Sequence, residues 1–413
     1  MKEKENTKTF YNSTIPSDWN VIKISDYGKV YTGNTPPTND LENYGEEFLF
    51  VSPSDLGSEK YILNTEKKLS KKGFSISRKF PQGSVLFTCI GSTIGKSGVA
   101  AIELTSNQQI NAIVVDEKYS NEFLYYALEK DAVKIKLLAG EQAVPILNKS
   151  QFESIRIICP PLPEQKAIAH NLSLMDTAIN KNNLLIAKKE LQKKWLMQNL
   201  LTGKKRLKGF KGEWKETSLG NLFERVTRKN SEGNTTVVTI SAQRGFVRQT
   251  DFFNKNIASE ITDNYFLVEK GEFCYNKSYS NGYLWGATKR LKDFDKAVVT
   301  TLYICFGLKD IKKSSGDFFE QFFEANLLDK GLTQIAHEGG RAHGLLNVTP
   351  SDFFSLKITV PPYEEQTAIA QVLQAADKEI QLLKFKTEKL REQKKGMMQV
   401  LLTGKKRLKI NNK

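Results

Sequence analysis

The strongest constraint in this sequence is an internal repeat. The nine residues LLTGKKRLK occur at 200–208 and again, unchanged, at 401–409, so the two copies lie 201 residues apart. The segments PPLPEQKAIA at 160–169 and PPYEEQTAIA at 361–370 have the same offset. Between these copies the two halves of the 413-residue chain diverge almost completely. Such a repeat predicts two related structural units, each built from a variable and a constant segment.

Weaker matches extend the repeat to the start of each variable segment. Trp19, followed by ISDY, corresponds to Trp214, followed by LGNL. At roughly 100–200 residues per domain, the chain has room for such units. We predict four parts: a first variable domain at 1–158, a constant helical segment at 159–212, a second variable domain at 213–359 and a second helical segment at 360–413.

Each constant segment has the pattern of one long helix. It opens on a pair of prolines and continues with few helix breakers to Gly203 or Gly404, which are typical helix stops. Apolar residues recur with a 3.5-residue period, as in a coiled coil, and each helix would be about 57 Å long at 1.5 Å per residue. The seam residues are Ile168, Leu172, Ile179, Ile186, Ile369, Leu373, Ile380, Leu383 and Leu390. The two helices can pair with each other, or each can pack on its own domain.

Polar residues interrupt this seam at different places in the two copies. They are Asn182, Lys189 and Lys193 in the first copy, and Thr387 and Lys394 in the second. In coiled coils such interruptions can fix the register of the helices at a cost in stability. The two helices are therefore expected to have one preferred alignment.

The variable segments have a different pattern. Short apolar runs such as SVLFTCI and AVVTTLYICF alternate with Gly, Asn and Ser, which is typical of strands and turns. The stretches at 121–139 and 316–336 have the pattern of helices. We therefore predict an α+β protein, in which two mixed α/β domains are separated by two long antiparallel coiled-coil helices and are related by a pseudo-two-fold axis.

Basic residues are concentrated in the constant segments. The chain has 61 Lys and Arg against 46 acidic residues, a formal charge of +15. Residues 160–212 hold 11 basic and 3 acidic side chains, and residues 361–413 hold 12 and 6. A charge of this size favours a polyanionic partner, most often nucleic acid, although a basic helix can also be merely solvated.

Composition argues against two classes of protein. No stretch approaches 18 consecutive apolar residues and the first residues have no apolar core, so we expect no membrane span, no signal peptide and a cytoplasmic location. The 4 cysteines are far apart in sequence and there are only 3 histidines. We therefore expect buried free thiols and no metal site.

Three motifs invite an enzymatic interpretation that their residues do not support. GSTIGKSG at 91–98 lacks the spacing of a phosphate-binding loop and predicts a tight turn between strands. VPPY at 360–363 has Val where amino-group DNA methyltransferases require Asn or Asp, so it indicates the start of a helix. His337 and His343, near EGGRAHG, are more simply explained by a Gly-rich turn than by a site.

Polar and aromatic residues in the Gly-rich stretches of the variable segments are the candidates for binding DNA. Lys and Arg suit guanine edges and phosphates, whereas Asn and Gln suit adenine. Ordinary surface loops have the same composition, so that explanation stays open. The candidates are Ser92, Thr93, Lys96, Gln108, Gln109, Gln142, Lys277, Ser278, Tyr279, Asn281, Tyr283, Arg290, Arg341 and His343.

Taken together, these features resemble the specificity subunit of type I restriction-modification systems. The motifs are PPLPEQKAIA and PPYEEQTAIA at the helix starts, LLTGKK at both helix ends, and two unlike domains between them. GSTIGKSG, NKSYSNGY and HGLLNV are phrases that such subunits often carry. The resemblance spans the whole chain and is most specific in the constant segments.

The resemblance implies two target-recognition domains, each binding one half of a bipartite, asymmetric sequence of double-stranded DNA with a fixed gap. It also implies that two methylation subunits and the restriction subunits dock on this chain. Adenosylmethionine, ATP and Mg belong to those partners, so this chain would bind no cofactor and have no catalytic residue. Two other classes stay open: a coiled-coil scaffold that binds only proteins, and a self-contained DNA methyltransferase.

The repeat also predicts a spatial relation for the tail. The first copy of LLTGKKRLK leads through GFKGEW into Trp214, whereas STIPSDW leads into Trp19. If the two junctions are equivalent, the second copy lies beside the first variable domain, as the first copy lies beside the second domain.

Overall fold

The computed structural model describes residues 7–10, 13–140, 142–253, 262–336 and 346–408. The chain forms two compact units: unit 1 is Met1–Leu184 with Lys384–Lys413, and unit 2 is Leu185–Leu383. Among the described residues, no helix is both long and apolar enough to cross a membrane.

Most elements are short, and two helices of 39 residues each are the exception. The strands are β1 Thr7–Phe10, β2 Ser13–Pro16, β3 Asn20–Lys23, β4 Gly28–Thr32, β5 Tyr44–Gly45, β6 Phe48–Val51, β7 Tyr61–Ile62, β8 Lys67–Leu69, β9 Lys79–Phe80, β10 Val85–Thr88, β11 Ser97–Ala100, β12 Leu104–Ser106, β13 Ile110–Val115, β14 Arg156–Cys159, β15 Lys215–Ser218, β16 Phe223–Arg225, β17 Val238–Ser241, β18 Gly245–Arg248, β19 Phe266–Glu269, β20 Phe273–Asn276, β21 Ala287–Arg290, β22 Lys296–Val299, β23 Ile304–Leu308 and β24 Lys357–Val360. The helices are α1 Ile24–Tyr27, α2 Lys71–Ile76, α3 Asn121–Leu137, α4 Lys149–Ser154, α5 Leu162–Leu200, α6 Leu219–Leu222, α7 Gln249–Phe253, α8 Gly316–Glu324, α9 Asp329–Ile335, α10 Pro350–Ser355 and α11 Tyr363–Leu401.

Unit 1 contains two five-stranded sheets, in the orders β4-β13-β10-β11-β7 and β5-β8-β6-β12-β9. Strand β10 lies at the centre of the first sheet and is buried along its whole length, which explains its uninterrupted apolar run. Helix α3 packs against β10 and β11 and confirms the helix predicted at 121–139. The predicted tight turn at 91–98 is also confirmed, because Gly91 and Gly95 take positive φ values of 90° and 104° between β10 and β11.

Unit 2 contains a four-stranded sheet, in the order β16-β23-β20-β21, and a core rich in phenylalanine. The helix predicted at 316–336 is two helices, α8 and α9, so that prediction was wrong in its continuity. Asn326 has a φ of 55°, which an uninterrupted α-helix does not allow. All four cysteines of the chain are buried and free, as predicted, and the register of β20 and β23 brings the sulfurs of Cys274 and Cys305 to 3.2 Å.

The two long helices pack against each other in antiparallel orientation within each unit. The nine predicted seam residues are all buried or half-buried. Three of the polar interruptions of the seam form ion pairs. Lys394 Nζ lies 2.8 Å from Asp176 in unit 1, and in unit 2 Lys189 Nζ lies 2.8 Å from Glu379 and Lys193 Nζ lies 2.6 Å from Asp377. The helix ends also pack on the domains, since Ile168 belongs to the apolar core of unit 1. The long helices therefore contact each other and also pack on the domains.

A buried carboxylate near the start of each long helix fixes the repeated sequence to its domain. In unit 1, Glu164 accepts hydrogen bonds from the indole of Trp19 at 3.0 Å and from Arg407 Nη2 at 2.6 Å. In unit 2, Glu365 accepts from the indole of Trp214 at 3.2 Å and from Arg206 Nη2 at 2.5 Å. We call these two sets the latches. Hydrogen bonds to the carboxylates raise the pKa of both arginines.

The glutamine that follows each latch carboxylate attaches the helix of the variable domain. The Gln165 side chain accepts a hydrogen bond of 2.9 Å from the backbone N–H of Ser120. The Gln366 side chain accepts a hydrogen bond of the same length from the backbone N–H of Ser315. Ser120 and Ser315 are the N-caps of α3 and α8. The Glu-Gln pair of PPLPEQ and PPYEEQ therefore orients one helix of each domain on the long helices.

The tail lies where the repeat predicts. Leu401 and Leu402 belong to the same apolar core as Trp19, and Gly404, with a φ of 71°, approaches Pro16 and Trp19. The prediction that the second copy of LLTGKKRLK lies beside the first variable domain is confirmed for residues 401–408.

Candidate nucleic-acid interface

In unit 1, the turn after β10 brings two predicted segments together. The backbone N–H of Gly91 donates to the carbonyl of Pro145 at 2.9 Å, which places the chain that follows Gln142 beside the turn that holds Ser92 and Thr93. Lys136 Nζ, from the end of α3, donates to the carbonyl of Ser92 at 2.8 Å. Ser92 and Gln142 are exposed and Thr93 is half-exposed.

The turn between β12 and β13 lies next to this segment. Gln109 Nε2 is 3.9 Å from the position that a Cβ on Gly91 would occupy. Gln108 is exposed, and its Oε1 accepts a hydrogen bond of 2.5 Å from the hydroxyl of Thr35. This contact fixes the orientation of the Gln108 amide.

The loop after β4 adds residues that the sequence did not single out. Asn34 Oδ1 accepts the backbone N–H of Arg78 at 2.6 Å, and Arg78 Nη1 donates to the carbonyl of Thr32 at 2.5 Å. The Arg78 guanidinium lies 6.0 Å from the centre of the exposed Tyr31 ring. The exposed and half-exposed polar residues of these loops form the domain 1 face: Asn34, Thr35, Arg78, Ser92, Thr93, Gln108, Gln109 and Gln142.

Lys96 does not extend toward this face. Its Nζ donates to the carbonyl of Pro53 at 3.3 Å, and its aliphatic carbons lie against Gly57. The ammonium group is therefore engaged inside unit 1 by a different loop. The structure thus does not group Lys96 with Ser92 and Thr93, and its role in DNA binding stays a prediction.

In unit 2, the loop between β20 and β21 projects four of the predicted residues. Tyr279 is 64% exposed, Asn281 is exposed, and Lys277 and Ser278 are half-exposed. The Ser278 backbone N–H donates to the side chain of Asn276 at 3.0 Å, which shapes the start of the loop. Asn326 Nδ2 donates to the carbonyl of Gly282 at 2.9 Å.

The other two predicted residues of this stretch are engaged within unit 2. The Tyr283 hydroxyl donates to Glu324 at 2.5 Å, and burial and this carboxylate raise the pKa of Tyr283. Arg290 Nη1 donates to Asp317 at 2.5 Å. Because α8 supplies Asp317 and Glu324, both side chains bind this helix, whereas Tyr279 and Asn281 are exposed on the loop. The roles of Tyr283 and Arg290 in DNA binding stay predictions.

A hairpin that the sequence interpretation missed lies beside this loop. Strands β17 and β18 are antiparallel, and residues 242–244 form their connection. Gln243 and Arg244 are exposed at the tip, and Gln243 Nε2 donates to the carbonyl of Asn281 at 3.0 Å. The polar pair Gln243-Arg244 followed by Gly245, between the apolar runs VVTI and FV, was the available signal. The residues of the tip and the loop form the domain 2 face: Gln243, Arg244, Lys277, Ser278, Tyr279 and Asn281.

The remaining predicted residues, Arg341 and His343, lie outside the described residues, as does His337. Within the described residues, no group of three or more His, Cys, Asp and Glu side chains could hold a metal ion. The two faces are thus surfaces of hydrogen-bonding groups, of which the first is rich in amides and the second carries two cations and an aromatic ring. Groups of this kind recognise base edges and phosphates.

The two units share equivalent latch residues and a pair of long helices, which together we call the frame. Each unit carries a different face on this frame. The family described as "type I restriction modification DNA specificity domain" matches the chain twice, at residues 16–190 and 211–392. Because these matches cover most of the chain, the chain belongs to that family.

Similar proteins agree with this assignment. The type I restriction enzyme MjaVIII specificity subunit of Methanocaldococcus jannaschii is 25% identical over 99% of this chain and 98% of its own length. The MjaIX specificity subunit of the same organism is 32% identical, but over 44% of this chain and 45% of its own length. The fold is similar to the crystal structure of a type I restriction-modification S subunit from M. genitalium, with a TM-score of 0.57, 15% identity and coverage of 95% of this chain and 97% of that chain.

Proposed function

We propose that this chain is the non-catalytic DNA-recognition subunit of a type I restriction-modification complex. Each domain face binds one half of a bipartite, asymmetric target in double-stranded DNA, with a fixed gap between the halves. The observation that carries the proposal is the contrast within the repeat. The latches use equivalent residues in both units, whereas the two faces present different side chains, as expected if each face recognises a different base sequence.

In this proposal two methylation subunits and the restriction subunits dock on the chain, and adenosylmethionine, ATP and Mg bind to those partners in the cytoplasm. The family membership supports the existence of such partners. The basic outer surfaces of α5 and α11 are available for phosphates or for acidic partner surfaces. A contribution of these lysines to DNA binding predicts a steep loss of affinity with salt.

A single-molecule methylation map of the source organism tests the proposal. Deleting the gene removes one bipartite adenine motif, and restoring it returns the motif. An unchanged map would favour a protein-binding scaffold, and a lost motif that is continuous or palindromic would contradict the two-half recognition. Transfer of a labelled methyl group from adenosylmethionine to DNA by the purified chain alone would instead indicate a self-contained methyltransferase.

The Gln108→Ala variant tests the domain 1 face within the same map. Loss of one amide contact relaxes the preference at one base pair of one half-site by about 10- to 100-fold and leaves the other half unchanged. Gln82→Ala is the matched control, because Gln82 is exposed before the start of β10 whereas the domain 1 face lies beyond its end. Equal motifs for wild type and Gln108→Ala would exclude Gln108 from base recognition.

A further inference from the structure

The β17–β18 hairpin of unit 2 has a fixed base and an exposed tip. Val238, Ile240 and Phe246 are buried in one apolar cluster, so the strands are held against the domain. Gly245, with a φ of 74°, closes the three-residue connection. The backbone N–H of Arg244 donates to the Ser241 hydroxyl at 3.2 Å, which orders the turn that carries the guanidinium.

The tip also has a second support, from the neighbouring loop. Gln243 donates to the carbonyl of Asn281, which joins the hairpin to the loop that carries Tyr279 and Lys277. A two-stranded ribbon has the width to enter the major groove of B-DNA. At the end of such a ribbon, an exposed arginine can reach base edges while residues of the adjacent loop contact phosphates.

We propose that Arg244 is a specificity-determining residue that donates two hydrogen bonds to the O6 and N7 atoms of a guanine in one half of the DNA target. This assignment rests on the proposed function. Guanine is the base that presents two acceptors side by side in the major groove, and the guanidinium fork matches them. The half-site bound by the domain 2 face therefore contains a G·C pair whose recognition depends on the hairpin tip.

The test uses the full chain in its complex with the methylation subunits, acting on duplex DNA in which both half-sites are randomised. For Arg244→Ala, discrimination at one G·C pair falls about 10- to 100-fold, and the other half-site keeps its sequence. For Arg244→Gln, the preferred base at that position shifts from guanine toward adenine, because an amide matches adenine N6 and N7. The unchanged half-site shows in both variants that the protein is folded and the complex assembled.

Arg225→Ala is the matched control for the loss of one positive charge. Arg225 is exposed on β16 and pairs with Phe306, which also pairs with Phe273 at the start of β20, whereas the loop of the domain 2 face follows the end of that strand. The control variant keeps the wild-type motif. If Arg225→Ala also reduces discrimination at the same base pair, the assignment is contradicted, because the preference would then depend on the total positive charge of the domain.

The possible failures are distinguishable. If wild-type complex selects no bipartite sequence, the proposed function fails, and the assignment of Arg244 fails with it. If wild type selects a bipartite sequence that Arg244→Ala leaves unchanged, only the assignment fails. A uniform loss over all sequences with a weaker salt dependence would show that Arg244 contacts phosphate. Absence of methylation in both Arg244 variants would also contradict the assignment, because one base contact contributes at most about 100-fold.

Discussion

In unit 1 the buried carboxylate of Glu164 binds an indole and a guanidinium, and in unit 2 Glu365 binds the same two groups. The faces have no such correspondence, since domain 1 presents amides such as Gln108 and domain 2 presents a hairpin tip with Arg244. The latch carboxylates thus act inside the protein, and the residues that differ between the two faces meet solvent. Equivalent substitutions in the two units therefore test the frame, with one unit as the control for the other.

The largest loss of stability is expected when a latch carboxylate is removed, and the loss is expected to differ between the two units. Arg407 also binds Asp18 at 2.8 Å, whereas Glu365 is the one carboxylate within ion-pair distance of Arg206 among the described residues. Removing one partner of a buried ion pair typically costs several kcal/mol. We expect Glu365→Gln to lower the unfolding free energy of unit 2 by about 3 kcal/mol, and Glu164→Gln to lower that of unit 1 by about half as much.

Hydrogen–deuterium exchange of peptides from each unit measures these two losses separately. Glu364→Gln is the control, because Glu364 is exposed beside the buried Glu365 and its substitution leaves protection unchanged. Equal losses for the two latch variants would mean that Asp18 contributes nothing to the binding of Arg407.

The second comparison concerns the glycines that end the two long helices. Gly203 and Gly404 have φ values of 70° and 71°, so alanine is strained at both, by about 1 kcal/mol. A Cβ on Gly404 would lie 2.3 Å from Pro16 Cδ, whereas one on Gly203 would lie 3.4 Å from the Trp214 ring. We expect Gly404→Ala to destabilise unit 1 by a further amount of about 1–2 kcal/mol, because Pro16 must move.

Urea denaturation followed by hydrogen exchange compares these glycine variants. Gly396→Ala is a control for which the opposite change in stability is expected. Gly396 lies inside α11, and beyond the adjoining backbone of that helix a Cβ there would have no heavy atom within 4 Å. Alanine is expected to stabilise the helix at that position by about 0.5–1 kcal/mol. A loss for Gly203→Ala as large as that for Gly404→Ala would contradict the steric argument.

Sequence reasoning found the frame because its signals are local or repeated. The seam follows from spacing within one segment, and the position of the tail follows from the equivalence of two copies. The roles of Glu164 and Gln165 could not be predicted in the same way, because their partners Trp19 and Ser120 lie 145 and 45 residues away in sequence. The repeat showed that these residues matter, and the fold shows which groups they bind.

The faces were predicted less completely, for a related reason. Whether a polar side chain meets solvent depends on neighbours supplied by other elements. Arg290 and Tyr283 were grouped with Tyr279, but α8 brings Asp317 and Glu324 to them. The base-binding roles of the exposed residues remain predictions. Gln243 and Arg244 were missed because a short polar connection between two strands has the composition of any surface turn.

The third comparison concerns the lysines in the seam, and a smaller effect is expected. Lys394 contacts two carboxylates, Asp176 at 2.8 Å and Glu129 at 3.1 Å, whereas the equivalent Lys193 contacts Asp377 at 2.6 Å. Lys394→Met leaves two half-buried carboxylates without their shared cation. We expect it to cost about 2 kcal/mol, and Lys193→Met about 1 kcal/mol, since all these groups are partly exposed.

Thermal denaturation and unit-specific hydrogen exchange measure these costs. The double variant Lys394→Met, Glu129→Gln is the control, because it removes the second carboxylate together with the lysine and recovers part of the loss. A double variant less stable than Lys394→Met would show that the repulsion between Glu129 and Asp176 is not the source of the cost.

The smallest effect is a pH dependence confined to unit 1. Burial raises the pKa of Glu129 above its ordinary value of 4.5, against the opposing effect of Lys394. The folded state therefore keeps a proton that the unfolded state loses, and the stability of unit 1 falls as pH rises from about 4.5 through the raised pKa. The side chain of Glu129→Gln does not titrate, so the stability of this variant relative to wild type increases over that pH range and is constant above it.

Hydrogen exchange in unit 2 of the same molecules is the internal control and shows no difference between the two proteins. A relative stability that decreases with rising pH would mean that Lys394 stabilises the charged carboxylate by more than burial destabilises it.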